Sequence, residues 1–171
     1  MAPILVDASP LLYLAKLDAL ECFAPAGWEP LVPPAVVAET ASAAVAYRFP
    51  DALTISGALS SGVLRTVDLT APEQEEAGRL AESIKGLGRG ECEALAVAGA
   101  RGSQVVIFER QGRRIARALG IAAVDPVEVL FRGTRDRALL RRRISYFADM
   151  TAMRATDVEA LIARIERRME R

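Results

Sequence analysis

Short apolar runs alternate along the chain with longer segments in which apolar residues recur at helical spacing. The runs predict buried strands over residues 3–7, 29–33, 65–69, 105–108 and 121–124. The longer segments predict helices over residues 11–23, 34–39, 70–85, 91–100, 112–119, 126–132, 135–150 and 157–170. Because strands and helices alternate, we expect an α/β fold with a central parallel sheet that helices cover on both faces.

Two helix starts carry specific capping signals. Thr70, with Glu73 three residues later, forms a capping-box pattern. Asp125 stands before Pro126, which combines a cap with a first-turn proline. Residues 42–62 contain a proline and two glycines, and this segment predicts a loop or short irregular helices.

Three acidic residues stand near the sheet edge where open α/β proteins bind ligands. Asp7 ends the first predicted strand, Glu39 lies about one turn inside an apolar helix, and Glu91 lies in a first helical turn. Two of these acids also have a purely structural explanation. Asp7 can cap the following helix, and the helix dipole alone favours Glu91 in a first turn. We expect Glu93 on a different face, exposed and paired with nearby arginines.

Acids that separate elements bring to one sheet edge repel one another unless a cation neutralises them. Oxygen ligands without histidine or thiolate suit Mg²⁺ or Mn²⁺. Such an ion lowers the pKa of a bound water and stabilises the leaving oxygen when a phosphodiester is hydrolysed. Together, the three acids therefore indicate metal-assisted phosphodiester hydrolysis.

The composition excludes several other chemistries. The 171-residue chain has no histidine, so it contains no Ser-His-Asp triad, paired-histidine ribonuclease site or histidine-ligated zinc. Its two cysteines, Cys22 and Cys92, form no CxxC motif and are typical of buried thiols in a reducing cytosol. No apolar run reaches the roughly 18 residues of a membrane helix, and no signal-peptide pattern is present, so we expect a cytoplasmic protein.

Three segments in succession resemble the motifs of PIN-domain nucleases. They are residues 6–16 (VDASPLLYLAK), 32–39 (VPPAVVAE) and 90–98 (GECEALAVA). Their order and spacing match the family, and they fall on the predicted elements. The Gly90-Glu91 pair and the later segment 112–116 (GRRIA) resemble the prokaryotic branch with a "GE" third motif, which is rich in toxins.

The resemblance implies a three-layer α/β/α fold and cleavage of single-stranded RNA at an acidic pocket that binds Mg²⁺ or Mn²⁺. It implies that Asp7, Glu39 and Glu91 are the metal ligands, and that Ser9 supports Asp7 through a hydrogen bond. Many members of the family dimerise, and the toxins are restrained by a small antitoxin protein. A homodimer and an antitoxin are therefore candidate partners, with no membrane involved.

We expect one domain over residues 1–171. The resemblance covers about residues 4–132, which would form the PIN-like core, and a helical extension would occupy about residues 134–171. The 22 basic and 22 acidic residues of the chain balance, but residues 132–171 carry 11 basic and 6 acidic side chains. An arginine-rich helix is more often a solvated face than a nucleic-acid site.

The chain departs from the family pattern after the fourth predicted strand, where Phe108 replaces the usual aspartate and Glu109 follows. In one arrangement Glu109 reaches the pocket as a replacement ligand. In the other, Phe108 packs under the adjacent helix and leaves a three-acid site of weaker metal affinity. Glu109 then pairs with Arg110 or Arg113 in solvent. Asp125 also lies near a strand end, but its Pro-Val-Glu successor favours a helix cap.

The leading hypothesis is a metal-dependent endoribonuclease for single-stranded RNA, with the toxin of a toxin-antitoxin pair as the role that the resemblance suggests. The alternative is a weakened PIN-like module that binds RNA or protein, which Phe108 and the basic C-terminal segment support. Phosphoryl transfer on another Rossmann-like scaffold is disfavoured, because haloacid-dehalogenase-type sites need a second acid where this chain has Ser9.

Overall fold

The protein folds as alternating strands and helices, and the computed structural model describes residues 1–42 and 50–169. The strands are β1 (Ala2–Val6), β2 (Trp28–Val32), β3 (Arg65–Thr66), β4 (Gln104–Val106) and β5 (Ala123–Val124). The α-helices are α1 (Ala8–Lys16), α2 (Pro34–Thr40), α3 (Pro50–Ser60), α4 (Ala71–Ser83), α5 (Arg89–Arg101), α6 (Arg110–Ala118), α7 (Pro126–Gly133), α8 (Arg137–Met150) and α9 (Ala155–Met169). A 3₁₀ helix covers Leu20–Phe23.

The strands form one parallel sheet in the order β3-β2-β1-β4-β5, which confirms the predicted α/β architecture. The central strand is β1, where Leu5 pairs with Leu31 of β2 and with Val105 of β4. The Asp7 N–H continues this ladder by donating to the Val106 carbonyl oxygen at 3.2 Å. Asp7 therefore lies at the carboxyl edge of the sheet, between the ends of its two central strands.

Alternate residues of the central strand enter opposite layers of the protein. Ile4 and Val6 pack with apolar residues of α1, α7 and α8, whereas Leu5 packs with α4, α5 and α6. All three side chains are fully buried. The sheet is thus covered on both faces, and the result is the three-layer α/β/α arrangement.

The penultimate helix α8 joins the first of these layers through a buried arginine. Arg143 donates to the Leu17 and Asp18 carbonyl oxygens, to Thr134 Oγ1 at 3.0 Å and to Glu21 Oε1 at 2.7 Å. These bonds satisfy the guanidinium, which is otherwise costly to bury. The helix is therefore fixed directly to the segment that follows α1.

The loop or short irregular helices predicted over residues 42–62 differ from the structure in the second half, because residues 50–60 form the single regular helix α3. Ala52, Ile55 and Ala58 are buried at three-residue spacing, which gives α3 a stripe that packs on the core. Residues 43–49 of the same prediction lie outside the described residues.

Other predicted boundaries shift by a few residues. The helix predicted over 11–23 ends at Lys16, because Asp18 adopts φ 47°, a left-handed conformation that stops an α-helix. The third and fourth strands end earlier than predicted, at Thr66 and Val106. Across the ranges that the structure describes, no helix has both the length and the apolar character needed to cross a membrane.

Candidate active site

The carboxylate of Asp7 is buried at the end of the central strand. The residue is 5% exposed and occupies the N-cap position of α1, yet its side chain accepts no capping hydrogen bond. Helix capping, the local alternative for this residue, therefore does not account for the carboxylate. Its position at the carboxyl edge of a parallel sheet is where ligand sites of this fold class occur.

The pKa of Asp7 rises from 3.8 to about 6, mainly because burial removes hydration from the charged carboxylate. The negative charges of Glu39 and Glu109 contribute to this rise, while the Ala8 backbone N–H opposes it. The Asp7 carboxylate therefore interacts electrostatically with an acid of α2 and with an acid at the start of α6.

Glu91, in the first turn of α5, is the second acid of the site whose pKa is strongly raised. Burial raises its pKa from 4.5 to about 7, and the charges of Asp7 and Glu109 add to the effect. The Gly88 backbone opposes the shift through a hydrogen bond. Glu91 Oε1 is buried without a hydrogen-bond partner, the one such side-chain oxygen or nitrogen in the described part of the chain. The helix dipole alone does not explain an acid held in this way.

Two glycines make room for the acids. A Cβ on Gly112 of α6 would collide with Glu91 Oε1 and would come within 2.9 Å of an Ile107 methyl group. A Cβ on Gly90 of α5 would lie 2.8 Å from a Val36 methyl group and 3.3 Å from Glu39 Oε1. Because real side chains avoid such distances, both helices approach the acids only with glycine at these positions.

Glu39 is exposed on α2 and reaches across to α5. Its Oε1 accepts a hydrogen bond from the Gly90 N–H at 3.2 Å, and its charge raises the pKa of Asp7. Of the three acids predicted from the sequence, Glu39 and Glu91 therefore each lie near enough to Asp7 for their charges to interact with it. Ser9 lies half-buried in the first turn of α1, and its predicted hydrogen bond to Asp7 stays a prediction.

After β4, where a fourth acid was expected, the chain has an aromatic residue followed by an acid. Phe108 packs edge-on against Tyr13 of α1 and Phe147 of α8, with ring centroids 5.4 Å apart in both pairs. Glu109 follows as the N-cap residue of α6, and its charge raises the pKa of Asp7 and of Glu91. Phe108 is therefore directed to the α1–α8 layer, while Glu109 remains next to the buried acids.

Arg113, one of the two partners predicted for Glu109, pairs instead with Asp125 at 2.7 Å. Asp125 Oδ1 also accepts the Val127 N–H at 2.9 Å, which confirms its predicted role as the cap of α7. Asp125 is thus occupied by two local contacts, and nothing in its geometry assigns it to the acidic pocket.

The exposure predicted for Glu93 is wrong, since this residue is 6% exposed. Its Oε2 accepts a hydrogen bond from the Ala35 N–H at 2.8 Å. Its Oε1 accepts one from Arg89 Nε at 3.2 Å, so the arginine contact is the part of the prediction that is confirmed. The helix α2 follows Pro33, which has no side-chain cap to offer, and Glu93 supplies the missing acceptor from α5. A helix that starts at two prolines without a polar cap is the sequence signal for such a contact.

The donor set fits a hard divalent cation, since it consists of carboxylate oxygens. Within residues 1–42 and 50–169, no three acidic or thiol side chains meet in the arrangement of a preformed metal site. Positive charge is nevertheless what the pocket lacks, because Glu91 Oε1 has no partner and Asp7 faces neighbouring negative charges. A cation between these carboxylates would satisfy the oxygen and relieve the repulsion.

Comparison with known proteins identifies the family. A family model described as a PIN domain matches residues 3–170, nearly the whole chain. No curated protein of similar sequence was found. PIN domains are in general nucleases, and members generally use divalent metals. The match agrees with the parallel sheet and with the acids at its carboxyl edge. The chain therefore belongs to the PIN-domain family.

Proposed function

We propose that this protein is a metal-dependent endoribonuclease that cleaves single-stranded RNA at the pocket of Asp7, Glu39 and Glu91. One observation carries the proposal: Glu91 Oε1 is buried without a hydrogen-bond partner, beside the buried Asp7. A purely structural glutamate would find a donor for that oxygen, since an unpaired buried acceptor costs roughly 1–3 kcal/mol.

Each acid of the pocket would have a distinct role in metal binding. Asp7 and Glu91, fixed by β1 and α5, would supply carboxylate ligands to the cation, and Glu39 would add a carboxylate from α2. When bound, Mg²⁺ or Mn²⁺ would supply the positive charge that activates water and stabilises negative charge on the phosphodiester. Gly112 keeps the wall of α6 close to Glu91 without displacing the carboxylate.

Glu109 supports the site from the position next to the usual fourth acid. Its charge acts on Asp7 and Glu91, so it adds to the negative potential that attracts a cation. We assign it a supporting role because it follows the position of the usual fourth acid, where this chain has Phe108.

The cellular role in this proposal is that of a toxin held inactive by an antitoxin protein, with a homodimer as the working unit. The likeness of the Gly90-Glu91 motif to the toxin-rich branch supports this role. Action in the cytoplasm is supported by two buried free thiols, Cys22 and Cys92, which are typical of reducing compartments.

A cleavage assay on unstructured single-stranded RNA tests the proposal. With Mg²⁺ or Mn²⁺ the wild type should cleave, and EDTA should stop it. Asp7→Asn and Glu91→Gln should lose activity by orders of magnitude, because each removes a charge that the cation requires. Glu82→Gln, an exposed acid of α4, is the matched control and should cleave as the wild type does. Undiminished cleavage by both site variants, with circular dichroism showing folded protein, would refute the assignment.

The second candidate function is a PIN-like module that binds RNA or protein without cleaving. Phe108 favours it, because an aromatic cluster with Tyr13 and Phe147 stands where a fourth acid is usual. A folded wild type that binds RNA but leaves it intact with either metal would select this alternative.

A further inference from the structure

A groove lined by arginines runs along α6, the helix that begins directly after Glu109. Its volume is about 1140 Å³, which is larger than the roughly 300–1,000 Å³ of a small-ligand pocket. The α6 wall carries four arginines, and the facing wall is the chain that leads into the edge strand β5. The lining residues are Arg110, Gln111, Arg113, Arg114, Arg117, Gly120, Ile121, Ala122 and Ala123.

Three of the arginines are available to bind a ligand. Arg110, Arg114 and Arg117 are exposed, and none of them forms a salt bridge with another described residue. Arg113, in contrast, is held by Asp125 at 2.7 Å. At 100° per residue the three available side chains fall within about 60° on one helix face, and they span about 10 Å along its axis.

This stripe begins at the N-terminal end of α6. Arg110 opens α6 directly after Glu109, whose charge acts on Asp7 and Glu91. The carboxylates alone would repel a polyanion, and the chain has a net charge of zero, so attraction to a nucleic acid must come from a local basic surface. The arginine stripe is such a surface, on the helix that follows Glu109.

The lining favours phosphate over a protein partner. Arginine binds phosphate oxygens through a planar fork of donors, and three guanidiniums in a row match consecutive phosphates of one strand. Protein interfaces are instead centred on large apolar anchors. The apolar lining here consists of the buried Ile121 and of two alanines, Ala122 and Ala123, which form no such anchor.

We infer that Arg110, Arg114 and Arg117 bind the phosphate backbone of single-stranded RNA and lead the strand into the acidic pocket. They act as positioning residues and do not touch the reacting bond. This inference rests on the proposed function, since it names the surface that presents the substrate to that site.

The test measures RNA binding separately from cleavage. A fluorescent random-sequence 20-nucleotide RNA is titrated with the full-length protein in EDTA, and anisotropy is followed at several salt concentrations. The variants are Arg114→Gln/Arg117→Gln and a matched control, Arg137→Gln/Arg142→Gln, which removes two exposed arginines of α8 in the opposite layer. Circular dichroism verifies that both variants are folded.

The groove variant should bind at least tenfold more weakly. Its slope of log K against log salt should be less steep by about 1.4, because each lost phosphate contact removes about 0.7 from the magnitude of the slope for a single strand. The control should bind within about twofold of the wild type. Where the wild type cleaves, the groove variant should show a raised KM and a retained kcat.

Equal binding by wild type and groove variant, or equal losses in both variants, would overturn the inference. An acidic protein that binds the groove while RNA fails to compete would also overturn it. A wild type that does not cleave, but whose RNA binding depends on the groove arginines, would refute the proposed nuclease function and leave the groove assignment standing.

Discussion

At the scale of single residues, the site holds charge where the fold makes charge costly. Asp7 is buried, and Glu91 keeps one oxygen without a donor beside it. Elsewhere in the described chain buried acids are compensated, as Glu73 is by a two-point contact with Arg101 at 2.7 and 2.9 Å. That contact holds the pKa of Glu73 down to about 2, whereas the pKa of Glu91 rises to about 7. The two acids differ in that a cationic side chain compensates Glu73, whereas one buried oxygen of Glu91 has no hydrogen-bond partner.

This difference predicts how stability depends on pH without metal. The native pKa values of Asp7 and Glu91, about 6 and about 7, lie above their ordinary values of 3.8 and 4.5, so the folded state binds these protons more tightly. Their contribution to stability is therefore complete below about pH 4 and is lost as pH rises through 6 and 7. Urea unfolding in EDTA should show a free energy of unfolding that falls between pH 5 and pH 8.

The fall should be smaller in Glu91→Gln, since the neutral amide has no proton to lose. Glu82→Gln, on the exposed face of α4, should behave like the wild type. An identical fall in wild type and Glu91→Gln would show that the buried pair does not cause the pH dependence.

At the scale of elements, the site depends on how closely helices approach the sheet edge. The α6 backbone packs against the Glu91 carboxylate because Gly112 has no Cβ. In the same way, Gly90 lets α5 approach Val36 and Glu39 of α2. The glycines of the "GE" and "GRRIA" motifs thus act by letting helices converge on the acids.

Gly112→Ala should therefore damage the site more than the size of a methyl group suggests. The new Cβ would collide with Glu91 Oε1, so either the carboxylate or α6 must move. We expect lower stability and at least a tenfold loss of RNA cleavage. Gly78→Ala is the matched control, because Gly78 lies within α4 and its Cβ would meet nothing within 4 Å.

The control should gain roughly 0.5–1 kcal/mol of stability, as alanine favours a helix over glycine, and should cleave normally. Thermal unfolding and the cleavage assay measure both effects. A Gly112→Ala protein as active as Gly78→Ala would mean that the pocket does not need this close approach.

At the scale of the whole molecule, the features that depend on local pattern could be predicted from the sequence. The alternation of apolar runs and helical segments gave the parallel sheet. The Thr70–Glu73 capping box and the Asp125 cap are both present, because each needs only a few neighbouring residues. The acids at the carboxyl edge could be identified because strand ends in such sheets define where ligands bind.

Features that depend on packing between distant segments could not be predicted in this way. Glu93 is buried because α2 lacks a cap of its own and Ala35 needs an acceptor. Phe108 packs in an aromatic cluster because the fold brings together Tyr13 and Phe147, which are far apart in sequence. The charge of Glu109 acts on Asp7 because α6 begins beside the buried acids.

The central claim is that Asp7 and Glu91 form a cation site, and calorimetric titration with Mn²⁺ tests it most directly. The wild type should bind Mn²⁺ at a site that Glu91→Gln weakens at least tenfold, because the ion loses a charged ligand. Glu82→Gln should bind as the wild type does. Mn²⁺ binding of equal affinity in wild type and Glu91→Gln, or no binding to the folded wild type, would contradict the account.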